Sequence, residues 1–340
     1  MFVGHGALAF AIVGLGALGW GWPHERAWTL ALLAALLATL PDIDMLYAIG
    51  GLLSAGSLDP FVLANEFWGA STVIHRSVTH SIVVAIPVAI GTALVAGNRK
   101  TQWLGYGVFL AVFFTLAGGM GTVHLLVLGA FLLGAAITGR LITRREIGMV
   151  PVGIAAGVAL ISHPFGDLLT GQPPAVLYPL DASLFASRVA IASDPTIHLL
   201  GAFFVELAAI WIGLLVMAQL REVSLRDHLR PRAAAGAAYA GFALILPAPT
   251  LDVSYPFVFS VLSVGFLGIV PAAVRVPNRW QSLLPDPLPT PQRGKSGIDA
   301  DIEIPDRWTA VVTGLATITV AAVAYTISYG ISTLGPAWPV

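Results

Sequence analysis

The chain contains no cysteine. Disulfides, thiolate metal sites and cysteine nucleophiles are therefore excluded, and any metal must be held through nitrogen and oxygen. Charge is also scarce: 10% of the 340 residues are Asp, Glu, Lys or Arg, where soluble domains carry roughly a quarter. With 17 basic residues, of which only Lys100 and Lys295 are lysines, and a net charge of −1, the chain offers no nucleic-acid-binding surface. The opening Met1-Phe2-Val3-Gly4-His5 lacks the basic stretch of a cleaved signal peptide, so the first apolar run is expected to persist as a helix. Acidic residues are rare in the apolar runs, Glu206 being the one acid well inside a helix. That argues against a charge relay through the bilayer. No internal repeat stands out, which weighs against an inverted-repeat transporter.

What is abundant is apolar surface. Hydrophobic residues make up 57% of the chain, and mean hydropathy is +0.84. The runs predict an all-α, polytopic transmembrane bundle of about ten spans, near residues 6–22, 27–40, 81–97, 102–118, 122–139, 148–162, 197–218, 233–249, 256–274 and 308–328. Such a protein resides in the cell membrane (plasma or inner) with lipids as its surroundings. Several spans are shorter than the ~20 residues that cross a bilayer comfortably. Alternating the ten places 15 of the 17 basic residues on one side and leaves Arg76 and Arg188 on the other. Arg and Lys favour the cytoplasm, so both termini are expected outside it. Segment 276–307, rich in Pro, Gly and charge, reads as a cytoplasmic loop.

The arginine-poor side collects the chemistry. It holds His5, then Leu40-Pro41-Asp42-Ile43-Asp44, then His75-Arg76-Ser77-Val78-Thr79-His80-Ser81, then Ser162-His163-Pro164-Phe165-Gly166-Asp167, with Thr170-Gly171 following. Singly, each has a structural reading: Asp42 as a helix cap, His5 as an interfacial residue, Arg76 as an ion-pair partner. Together, four separate segments bring ionisable groups to one level of the membrane, where they are costly unless they pair, meet water or bind a cation. Imidazole and carboxylate suit zinc, manganese or iron.

Local geometry makes further demands. Pro164 disfavours helix at His163, so His163 is expected as an N-cap, with Asp167 in the first turn of a short re-entrant or interfacial helix. His75 and His80 would stand about 140° apart on a continuous helix, so both can face one ion only if a helix starts between them. Asp42 and Asp44 need non-helical or terminal backbone to point the same way. Asp194 before Pro195 reads as an N-cap. His198 and Asp181 are weaker candidates for the site, His124 reads as buried or interfacial, and His24 and His228 fall on the other side.

These pieces, His5-Gly6, Leu40-Pro41-Asp42-Ile43-Asp44, the His75-Arg76-x-x-Thr79-His80-Ser81 element and His163 through Asp167 with Thr170-Gly171, resemble in order and spacing the YdjM-like family of membrane-bound metal-dependent hydrolases. That pattern is likened to zinc-dependent phospholipase C. The resemblance covers about residues 1–200, which would form the hydrolase domain, with 201–340 adding further transmembrane helices. It departs at Gly171-Gln172-Pro173-Pro174 and at Pro179-Leu180-Asp181, which stands where the family has a Pro-Phe element. It implies hydrolysis, here of phosphoester bonds in a lipid or other amphiphilic substrate. A divalent metal is expected, zinc first, with manganese or iron as alternatives. The expected ligands are His5, Asp42, His80, His163 and Asp167, with Asp44 and His75 bridging or supporting. Asp44 is the expected general base and Arg76 the expected phosphate-oxygen holder, with Thr79 orienting ligands. Two other readings stand beside this one: a transporter passing metal ions or protons, and a non-catalytic scaffold stabilised by metal.

Overall fold

A computed structural model describes residues 2–71, 75–145, 147–268 and 305–334. The loop expected over 276–307 lies, up to residue 304, outside the described residues. Every regular element among the described residues is helical. The chain divides into two compact units, Met1–Val223 with Ala248–Pro256, and Ser224–Pro247 with Phe257–Val340.

The first unit holds α1 (Phe2–Gly19), α2 (His24–Thr39), a 3-10 helix (Pro41–Ala48), α3 (Ile49–Ser54), α4 (Pro60–Ser71), α5 (Ile82–Val95), α6 (Arg99–Ala117), α7 (Thr122–Ile142), α8 (Met149–Gly166) and α9 (Pro195–Leu220). Its interior is built from stripes of small residues at helical spacing. On α2 the stripe is Ala27, Ala31, Ala34 and Ala38, and on α8 it is Val152, Ala155, Ala156, Ala159 and Leu160, all buried. Small side chains let helices approach closely where lipid offers no hydrophobic drive between them. On α1 the stripe His5, Ala9, Val13 and Ala17 is buried as well. It packs against α9 so tightly that a Cβ on Gly213 would stand 2.8 Å from the Ala7 Cβ. Two of these stripes end in histidine, His5 on α1 and His163 on α8, and both are buried. Large apolar side chains face outward instead, among them Trp103, Phe114, Leu126 and Leu133, as expected of a bilayer-facing surface.

Among the described residues, four helical segments are long and apolar enough to cross a membrane: Thr122–Arg145, Met149–Leu169, Pro195–Leu220 and Arg307–Thr333. A fifth is added if His24–Thr39 and Pro41–Ser54, bent by 45° at their junction, make one broken span or re-entrant loop. The expected ten spans exceed this number among the described residues. The run over 81–97 gives α5, with only 14 residues. The run over 233–249 gives an 11-residue 3-10 helix, Pro231–Gly241, and a single turn, α10 (Phe242–Ile245). The run beginning at 256 gives α11 (Tyr255–Val264) and a 3-10 turn, Gly265–Gly268. Between residues 41 and 71, where the sequence suggested no span, the 3-10 helix, α3 and α4 form a helical hairpin.

The second unit is organised by α12 (Arg307–Leu334). Asp306 starts that helix, accepting from the Trp308 and Thr309 amides and the Thr309 hydroxyl. Chiefly through the Thr309 hydroxyl, these bonds hold its carboxyl at about 2. The helix receives the 3-10 helix at Gly236, where a Cβ would stand 2.3 Å from the Thr317 carbonyl oxygen. Tyr239 packs beside it, bonded to Ser260 at 2.6 Å.

Candidate metal centre

The buried stripe of α8 carries His163 into the interior, and the helix continues to Gly166 with Pro164 inside its last turn. This corrects the expected N-cap at His163. Burial of the stripe outweighs the local preference of a pre-proline residue for extended backbone. A 3-10 turn, Asp167–Leu169, follows directly. The four-residue spacing therefore works as a helical pair, with His163 Nε2 3.7 Å from Asp167 Oδ2.

At the end of α2, Pro41 opens a 3-10 helix. Such a helix has about three residues per turn, so Asp42 and Asp44 diverge by about 120° instead of pointing the same way. They take opposite ends of one imidazole: Asp42 Oδ1 is 3.8 Å from His80 Nε2, and Asp44 Oδ2 is 3.5 Å from His80 Nδ1. His80 itself sits in a 3-10 turn, Val78–His80, before Ser81 caps α5 by accepting from the Val84 amide. Both His75 and His80 thus precede the helix, and their rings lie 5.1 Å apart.

Four ligand atoms converge from Asp42, His80, His163 and Asp167. His80 Nε2 lies 3.1 Å from His163 Nε2 and 3.0 Å from Asp167 Oδ2, and His163 Nε2 lies 3.5 Å from Asp42 Oδ1. The tautomers follow from the other ends of the rings. His163 Nδ1 lies 2.6 Å from the Ala38 carbonyl oxygen, which only accepts, so Nδ1 carries the proton and Nε2 a lone pair. The Thr79 hydroxyl donates to Asp44 Oδ2 at 3.0 Å and contacts His80 Nδ1 at 3.0 Å. Its proton committed to Asp44, Thr79 must accept from His80 Nδ1–H, leaving His80 Nε2 bare as well. Burial pulls the His80 imidazole below its ordinary value of 6.5, so the ring is neutral at pH 7. In these tautomers two imidazole lone pairs and two carboxylate oxygens face one another. Arg76 Nη2, 3.5 Å from Asp167 Oδ1, offsets part of that negative charge, and a bound cation would offset the rest. Two carboxylates and two imidazoles match a divalent ion in donor chemistry.

The surrounding residues hold these four. His5 lies outside the converging set: its Nε2 is 3.2 Å from Asp167 Oδ1, and its ring stacks 3.9 Å from that of His163. Asp44 is fully buried and accepts from His75 Nδ1 at 2.8 Å, the Arg76 amide at 3.2 Å and Thr79. A second trio, Asp44, His75 and His80, is close enough to hold an ion, but Asp44 already has donors on both oxygens. The expected general base is thus an enclosed carboxylate that orients two histidines. Arg76 is likewise committed. Its guanidinium donates to the carbonyls of Asp167, Thr170 and Gln172 and to the Thr170 hydroxyl. The expected phosphate holder instead ties the 167–172 turn to the His75–Ser81 segment. Gly171 permits this with φ +60, and a Cβ there would stand 2.9 Å from the Arg76 Nη1. Arg76 itself sits at φ 69, a costly conformation outside glycine that its bonds to Asp44 and the turn maintain.

Other candidates separate from the site. Asp194 caps α9, accepting from the Ile197 amide, with Pro195 at the first helical position. His198 is buried but bonded to the Ile191 amide, outside both groups. His124 lines a small pocket with Ser77, Met120 and Tyr178. Asp181 is exposed, and His24 pairs with Glu222. Two partners escaped the sequence reading: the Ala38 carbonyl, a backbone group that carries no residue-type signal, and Glu206, whose carboxylate accepts from the Gly4 amide at 3.4 Å in the first turn of α1.

A family model described as YdjM inner membrane protein matches residues 1–245. No curated protein and no solved structure matches the chain.

Proposed function

The chain belongs to the YdjM inner membrane protein family, and from that premise we propose that it is a membrane-bound metal-dependent hydrolase of phosphoester bonds. The observation that carries this reading is the convergence of ligand atoms from Asp42, His80, His163 and Asp167, all within 4.8 Å of one another. Asp42, His80, His163 and Asp167 are the ligands, and His5 supports Asp167. Zinc is the first candidate metal, manganese and iron the alternatives. A divalent cation held there supplies Lewis acidity toward a phosphoryl oxygen and a water of lowered pKa.

The chain's own residues supply the rest. Asp44, accepting from His75 Nδ1 at 2.8 Å, leaves His75 Nε2 as a proton acceptor on a partly exposed ring, which suits it better than the enclosed Asp44 to the general base's task. Thr79 and Asp44 hold His80 in its ligating tautomer, and Arg76 fixes the turn that bears Asp167.

The test is hydrolysis by the purified full chain, supplied in turn with zinc, manganese and iron, on a phosphodiester and a phosphomonoester. His75→Ala should keep its metal and lose about 10²–10⁴-fold in turnover. Absence of hydrolysis with every metal would remove the reading.

A further inference from the structure

An apolar groove of about 590 Å³ runs along the first unit, lined by α2, the 3-10 helix Pro41–Ala48, α3, α4 and α7. Leu36, Ile43, Leu46, Ile49, Phe67 and Ile137 form its walls. Its size lies within the ~300–1,000 Å³ of small-molecule sites. Three of its lining residues are polar, and they are not alike. Thr39 and Thr138 spend their hydroxyls on the carbonyls of Leu36 and Gly134 in their own helices. Asp42 is the third, and it belongs to the metal-ligand set. The groove is thus apolar along its length and ionic only where it meets the centre. The hairpin that forms one wall is itself built for lipid: Leu46, Ile49, Leu53, Leu58 and Phe61 are all exposed, a density of large apolar side chains that water does not tolerate as a patch.

We propose that this groove holds the hydrocarbon chain of an amphiphilic substrate, so that its phosphate-bearing head is delivered to the centre at Asp42. The proposal rests on the hydrolase reading for the head group and on the groove alone for the chain. An amphiphile fits because it has one apolar length and one ionic end, the same arrangement the groove presents. A soluble polar substrate would find few polar partners along these walls, since Thr39 and Thr138 already donate their hydroxyl protons within their own helices.

The test uses the full chain reconstituted in phosphatidylglycerol vesicles with a trace of phosphatidic acid carrying a diazirine midway along one acyl chain. After illumination, labelled peptides are mapped by mass spectrometry, and metal content is measured on the same samples. Label should concentrate on Ile43–Ile49 and on Ile137. Ile137→Trp fills the groove from α7 at a half-exposed position, and Leu46→Trp fills it from the opposite wall. Each should cut groove labelling about tenfold, as overpacking of this size implies, with metal content unchanged and with the outward Leu126 and Leu133 labelled as before. Label spread evenly over Leu126, Leu133 and the groove, or groove labelling that neither tryptophan reduces, would overturn the proposal. Groove labelling without ester hydrolysis would uphold the groove and remove the hydrolase reading. Hydrolysis of a short, chainless diester without groove labelling would do the reverse.

Discussion

Asp42 and Asp44 are the same residue type two positions apart, and their surroundings give them different work. Asp42 offers an oxygen to the ligand set, while Asp44 accepts from His75, the Arg76 amide and Thr79. Residues that orient a ligand typically change metal affinity by about 10–100-fold when replaced. Asp44→Asn should therefore weaken metal binding by that order without abolishing it, and Thr79→Val should do so by the lower end, both read by competition with a chromogenic chelator. Complete loss in Asp44→Asn would make Asp44 a ligand. His80 gives a pH dependence whose sign can be stated. Its folded pKa is depressed from 6.5 by burial, so in the folded apo-protein the ring resists protonation while the unfolded chain accepts a proton. Stability is whole above pH 6.5 and falls as pH drops from there toward the lower folded value. Thermal unfolding of metal-free protein across that window should show the decline, and His80→Gln should make it shallower.

At the scale of elements, the segments that carry the site were legible because ionisable residues are conspicuous in an apolar chain. His5, Asp42, His80, His163 and Asp167 stood out by chemistry alone. What the residues do to one another was not legible. The 3-10 helix after Pro41 separates Asp42 from Asp44, and no residue-type signal announces a 3-10 helix over an α-helix. The continuation of α8 through Pro164 follows from its buried stripe, a tertiary fact. The hairpin over 41–71 went unread because its helices are too short for a span and too apolar for a loop. The number of spans suffered similarly, since apolar runs such as 233–249 fold into 3-10 helix and a single α turn. The stripes lead to a further expectation. α1 and α9 meet where Gly213 faces Ala7, and the same contact seats His5 and the Glu206 carboxylate on Gly4. Gly213→Val should force the helices apart, costing about 1–3 kcal/mol by overpacking. A lower Tm with weakened metal retention would bear this out, whereas a lower Tm with metal binding untouched would uncouple the helix contact from the site.

For the molecule as a whole, the buried acids and histidines weigh against the transporter reading. A transporter needs ionisable groups continuing through the bilayer, and Glu206, the acid well inside a span, is engaged with the first turn of α1. The ligand set instead gathers at helix ends. A bound ion should stabilise the fold, by about 2.7 kcal/mol when free metal is 100 times its Kd. Chelation should lower Tm and resupply should restore it. A scaffold would behave the same way, so only turnover separates it from an enzyme, and both depend on metal being there.

Metal content by mass spectrometry is therefore the most direct test, comparing detergent-purified wild type with His163→Ala and Asp167→Ala at equal folding. The geometry predicts stoichiometric zinc, manganese or iron in the wild type and its loss in both variants. A wild type without metal after resupply, or variants that keep it in full, would contradict the assignment of these residues as a metal centre.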